Sequence, residues 1–191
     1  AQAGRRPDVI DRWIVSRLSR AVAEVESQLS AYRLDLAAQA LYEFTWNEYC
    51  DWYIEFDKAM LQDGDAAGRA VTRHTLLSVL ETTLRALHPV MPFITEEIWQ
   101  RVGPLAERKG QTIMLQPYPA AADFTDDAEA TRQVGLLQAV VLGIRQIRGE
   151  LDVPHSRATP VYVRTDRPGD AAAVETLGDT IARVGNLESV T

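Results

Sequence analysis

The chain has 191 residues and a formal charge of −7, long enough to bury an adequate core in one large domain or in a domain with a small appendix. The acidic balance argues against a DNA binder or a generic nucleic-acid binder, which carries a basic footprint. Cys50 is the only cysteine, so no disulfide can form within the chain.

Taken in order, Pro7-Asp8 opens a first helix. Its buried stripe is Ile10, Ile14, Leu18, Val22, Val25 and Leu29, and Arg12, Ser16, Arg20 and Glu24 take the solvated face. Asp35 stands where it would cap a second helix. On that helix Tyr42, Trp46, Tyr49, Tyr53 and Phe56 recur at steps of 4, 3, 4 and 3, the spacing of a buried aromatic seam at period 3.6. On the adjoining line Asn47, Asp51 and Lys58 are polar and Ile54 alone is apolar. The helix breaks at Gln62-Asp63-Gly64-Asp65.

A third helix is expected over residues 67–87, with Leu77, Leu80, Leu84 and Leu87 on its apolar face. Pro89 and Pro92 force a corner. Glu96 and Glu97 then fall in the first turn of a short fourth helix, anchored by Trp99 against the seam and ended by Gly103-Pro104. Residues 112–115 read as an extended piece. Asp126 and Glu129 are spaced as cap and partner at the head of a fifth helix, whose apolar line is Val134, Leu137, Val141, Ile144, Ile147 and Leu151 and whose stop is Pro154. The period then changes to two over residues 159–164, a strand with Val161 and Val163 opposite Tyr162. A helix over 169–184 leads to a second strand at 187–190. The expected fold is mainly α: an antiparallel helical bundle over residues 1–122, then a long helix plus a small α/β appendix over 123–191.

Three strings carry a family resemblance. Trp46 to Glu55, W-N-E-Y-C-D-W-Y-I-E, resembles the W-N-E-F-C-D-W-Y-L-E signature in the anticodon-binding helical domain of the valyl-tRNA synthetase family, class I aminoacyl-tRNA synthetases. Asp11 to Leu18, D-R-W-I-V-S-R-L, is similar to the opening that follows the catalytic domain in that group. Leu87 to Trp99, containing P-F-I-T-E-E-I-W, and the Ile113 to Pro119 string also match. The P-F-I-T-E-E-I-W element fits isoleucyl and leucyl relatives equally well; the C-D-W-Y string points to the valyl enzyme. The resemblance runs from about Pro7 to the end.

The resemblance implies a parent that joins L-valine to its tRNA using ATP and Mg, with the catalytic domain in the same polypeptide. The H-I-G-H and K-M-S-K-S elements that handle ATP in class I synthetases do not occur here. Nor does a glycine-rich phosphate loop, a G-x-S-x-G or an H-E-x-x-H string. Cys50, His74, His88 and His155 are scattered without the close pairing of a metal site. No catalytic residue, metal or cofactor is therefore expected in this stretch, and its partner is a valine-specific tRNA. The matching position to the aliphatic residue that approaches the middle anticodon base is Ile54, so Ile54, Asn47, Asp51 and Lys58 form the candidate RNA-binding set. Arg12, Arg17, Arg20, Arg145 and Arg148 are candidates for phosphate. Further family contacts come from a helix upstream, whose absence here is expected to expose an apolar strip, and from a coiled coil beyond Thr191. Two other readings stand beside this one: the same domain of an isoleucyl- or leucyl-tRNA synthetase, and a stand-alone helical protein-interaction module. No apolar run reaches the ~18 residues of a membrane span, and the N-terminus has no signal-peptide pattern. A cytoplasmic, soluble protein is expected.

Overall fold

Asp8 is extended, and its carboxylate accepts from the amides of Ile10 and Asp11 at 2.8 Å each. That satisfies two N–H groups with no partner inside the helix and fixes the start of α1 (Val9–Ser30). The computed structural model describes residues 7–154 and 156–191, in two units, 1–127 and 128–191. Ile10, Ile14, Leu18, Val22 and Val25 are buried along α1 as the spacing requires, while Leu29 is left exposed. Ser16, placed by sequence on the wet face, is fully buried. Its hydroxyl donates to Asp126 at 2.6 Å and accepts from the Asp127 amide at 3.0 Å, which explains how a polar side chain sits there.

Tyr32 takes a left-handed turn (φ 56°) and the chain enters α2 (Leu34–Glu43) at once. The helix therefore starts before Asp35. That carboxylate lies inside the first turn, paired with Arg33 at 2.8 Å, and it is not the cap. From Phe44 the rod runs on without a break as a π-helical segment (Phe44–Tyr53) and then α3 (Ile54–Asp63). An i→i+5 ladder advances by roughly 4.4 residues per turn, so the expected seam does not hold its face. Phe44, Tyr49, Tyr53 and Phe56 are buried with Leu41, whereas Tyr42 and Trp46 are turned out, 63% and 55% exposed. Burial of Trp46, which the 3.6 period predicts, is overturned by this change of pitch.

Asp65 caps α4 (Ala66–Leu87) by accepting from the Gly68 amide at 2.7 Å. Leu84 is buried; Leu77, Leu80 and Leu87 are half-buried. α5 (Pro92–Leu105) begins with its proline in the first turn, so Glu96 and Glu97 fall one turn later than expected, and the helix continues one residue past Pro104. Glu96 serves another purpose there: it accepts from Thr112 Oγ1 at 2.6 Å and from the Ile113 amide at 3.2 Å. Those bonds tie down a single 3₁₀ turn (Ile113–Leu115) where an extended piece was expected. Trp99 is buried, but against Leu84 and Ile113 and not against the aromatic seam. Its indole N–H donates to Glu81 at 2.9 Å, and Glu81 in turn pairs with buried Arg85. Gly103 is required beside it, because a Cβ would lie 2.9 Å from the indole ring.

The second unit contains α6 (Ala128–Glu150), β1 (Pro160–Val161), α7 (Pro168–Val184) and β2 (Ser189–Val190). α6 starts at Ala128, so Asp126 stands too early to pair with Glu129 as cap and partner; Asp126 engages Ser16 and Arg20 instead. Val134, Leu137, Val141 and Ile144 are buried, as are Val174, Leu177 and Ile181 of α7. Ile147 and Leu151 are exposed, Leu151 lying past the end of α6 at Glu150. β1 and β2 pair in parallel across the α7 crossover, Pro160 against Ser189. The ladder is extended by the Val163 amide bonding Thr191 O at 2.8 Å, so the period-two stretch pairs over a shorter length than its pattern allows. Mainly α with a small α/β appendix is the fold observed.

Candidate nucleic-acid interface

The rod Leu34–Asp63 has an inner and an outer face, and the π-helical segment decides which residues take each. Inward, Trp13 meets Phe56 edge-on at 6.1 Å, and Tyr49 packs on Tyr53 at 5.8 Å. Tyr49 OH donates to Leu76 O at 3.1 Å and Tyr53 OH donates to Asp11 Oδ1 at 2.7 Å, anchoring the rod to α4 and α1. Outward, Asn47, Asp51 and Lys58 are exposed and Ile54 is half-buried. Ile54 closes the last π turn, its amide donating to Tyr49 O. It thus stands where the pitch returns to α, with its side chain at the rim of the core. Lys58 forms an ion pair with Glu55, one turn back on the same rod. The structure places all four candidate residues along the outer side of one continuous rod.

Beside them is a feature that the periodicity hid. The Tyr42 and Trp46 rings lie nearly parallel (10°) with centroids 6.5 Å apart, both in the open. The sequence signal that reveals it is the five-residue step from Phe44 to Tyr49, which only a π turn places on one face.

The candidate phosphate ligands are already occupied. Arg17 binds Glu48 through two nitrogens, at 2.7 and 2.5 Å, and that pairing raises its pKa. Arg12 pairs with Asp127 at 3.3 Å and Arg20 with Asp126 at 3.0 Å. In the second unit Arg148 donates to Arg157 O, Thr159 Oγ1 and Asn186 O, fastening the end of α6 to both strand entries. Under the rod sits a second unforeseen arrangement. Asp11 and Asp57 are both buried, and one Asp57 oxygen has no partner. Burial, followed by the charge of Asp8, pushes Asp11 up to about 6; burial, followed by the charges of Asp11 and Asp8, pushes Asp57 up to about 8.

His155 lies outside the described residues; among the described residues no three His, Cys, Asp or Glu side chains group to hold a metal ion. Among them, too, no helix is long and apolar enough to cross a membrane. Residues 11–163 match the family described as the anticodon-binding domain of tRNA ligase. Over 181 residues, 94% of the chain, it is 42% identical to the valine–tRNA ligases of two strains of Stenotrophomonas maltophilia. It spans 19% of the length of those relatives. The chain belongs to the anticodon-binding domain family of tRNA ligases.

Proposed function

We propose that this chain is the anticodon-reading part of a longer valine–tRNA ligase, acting in the cytoplasm, and that Ile54 packs against a base of the anticodon. The observation that carries the reading is the placement of Ile54: a half-buried aliphatic side chain at the exit of the π segment, among exposed Asn47, Asp51 and Lys58. π-helical turns are concentrated at functional sites because they re-aim side chains at a local energetic cost. Unstacked loop bases are recognised through their faces and edges, and one such contact contributes ~1–3 kcal/mol. Asn47 and Asp51 offer donors and acceptors to base edges, and Lys58 can exchange its partner Glu55 for phosphate. Valine specificity is supported by the named relatives and by the C-D-W-Y string. Activation of the amino acid with ATP and Mg belongs to other parts of that polypeptide.

The test is Ile54→Asp in the intact ligase. The change removes the apolar contact and adds a charge facing phosphate. Charging of valine tRNA is expected to fall about tenfold or more in kcat/KM, the size of one lost base contact, while valine-dependent ATP–pyrophosphate exchange stays near normal. The loss should shrink on a tRNA already altered at its middle anticodon base, because coupled partners are not additive. Equal losses on both tRNAs with an intact fold would return Ile54 to a purely structural role.

A further inference from the structure

We infer that the end of the first unit formed by the α1–α2 and α4–α5 corners is a docking face for apolar surface on another part of the same ligase polypeptide. The inference rests on reading the chain as one stretch of a longer ligase. Tyr32 and Phe93 are 91% and 90% exposed, and Leu34, Met91, Met114 and Leu115 are exposed with them. They come from three separate stretches, and the packing brings those stretches together. Val25 of α1, Ala37 and Leu41 of α2, and Ala86 of α4 form one cluster with Leu87, so both corners sit at the same end of the bundle. The bonds from Thr112 and Ile113 to Glu96 hold Met114 and Leu115 beside the first turns of α5.

Charge sharpens the point. A quarter of the chain is Asp, Glu, Lys or Arg (25%), yet none occurs over residues 86–95 or 110–122. The opposite end of the bundle differs: Asp8, Asp63 and Asp65 stand where α1 and α4 begin and α3 ends. Soluble proteins seldom leave apolar patches beyond ~300–600 Å² in water without an interaction to cover them.

The face is also held ready. The amides of Val90 and Met91 both donate to Leu87 O at 2.9 Å. Thr95 gives its hydroxyl proton to Met91 O at 2.7 Å, so the 2.8 Å contact from His88 Nδ1 to Thr95 Oγ1 is a bond that the imidazole donates. A corner fixed in this way loses little conformational freedom on docking.

The occupant follows from length and charge. The valine–tRNA ligases that the chain matches are about five times as long, the chain covering 19% of them, so most of such a polypeptide lies outside these residues. A second copy would bring another charge of −7 against the first. The charges at the α1–α2 corner, Arg33 and Asp35, are paired with each other, and docking through this end leaves the Asn47–Lys58 line free along the side of the rod.

The experiment is hydroxyl-radical footprinting of the intact ligase polypeptide without tRNA. Phe93 and Met114 are expected to react no faster than buried Trp99, while exposed Trp46 reacts freely. Phe93→Asp combined with Leu115→Asp is expected to restore the reactivity of Met114. Phe93 and Met114 reacting as readily as Trp46 would overturn the inference. So would protection that rises with protein concentration, which marks a second copy, or continued protection of Met114 in the double variant. With no tRNA in the experiment, its outcome is independent of the charging assays at Ile54.

Discussion

Asp57 shows how much a single buried carboxyl group can report. With one oxygen unpartnered and Asp11 beside it, the group is held mainly neutral, its pKa raised to about 8. An unfolded chain releases that proton near the ordinary carboxylate value of ~3.9. Between those two values the folded state binds more protons than the unfolded one, so stability falls as pH rises. The favourable contribution is complete below pH ~4 and is lost as pH climbs through about 8. Asp57→Asn supplies a permanently neutral side chain of the same shape. The melting temperature of this variant is expected to decline less than that of the parent between about pH 6 and pH 9, where the carboxyl group ionises. Parallel declines in a pair of thermal scans would show that Asp57 does not carry the effect.

At the scale of the element, the rod Leu34–Asp63 is governed by pitch more than by composition. Its large buried apolar residues Leu41, Phe44, Tyr49, Tyr53 and Phe56 follow steps of 3, 5, 4 and 3, a sequence that neither an α-helix nor a uniform π-helix satisfies alone. Thr45 adds a local cause, its hydroxyl bonding back to Leu41 O at 2.7 Å at the start of the segment, a contact that bends helices. The two pitches give opposite expectations for neighbouring residues. Phe44→Ala removes a buried ring and is expected to cost ~3–5 kcal/mol. Trp46→Ala removes an exposed one and should change stability by no more than ~0.5 kcal/mol. Urea denaturation of both variants distinguishes the two pitches, and a large loss at Trp46 would restore the uniform 3.6 period.

For the whole molecule, the net charge is −7, and Arg12, Arg17 and Arg20 are each paired with a carboxylate. Affinity for RNA without regard to sequence depends on neutralising phosphates. The chain is therefore expected to leave an arbitrary RNA duplex unshifted in a gel at ~0.1 M salt, where the Debye length is about 10 Å; a robust shift would mean that a local basic surface outweighs the acidic balance. Helix positions, the break at Gly64, the corner at Pro89 and the α/β character of the appendix follow from local periods and stops, and each is legible in the sequence. The turned-out Trp46, the buried Ser16 and the Asp11–Asp57 pair are not, because each depends on a partner distant in sequence or on a hydrogen-bond ladder that no residue type announces. The line through Ile54 is legible as a polar stripe with one apolar member; that it leaves a π turn is not.

That π turn has a genetic corollary. Losing Asn47 would shorten the step from Phe44 to Tyr49 from five residues to four, and the buried series would then read 3, 4, 4 and 3, the signature of an ordinary α-helix. A three-nucleotide deletion at this codon should thus be absorbed by the core instead of shearing it, an uncommon tolerance inside a long helix. What it would change is the outward arrangement: Tyr42 and Trp46 would swing relative to Ile54. Circular dichroism should find the deletion variant folded and at least as helical as the parent, and a collapsed spectrum would mean that the ladder, not the core spacing, sustains the rod. In lineages of this domain, a gain or loss of one residue here would act as a steering change, turning one half of the rod against the other while both stay packed.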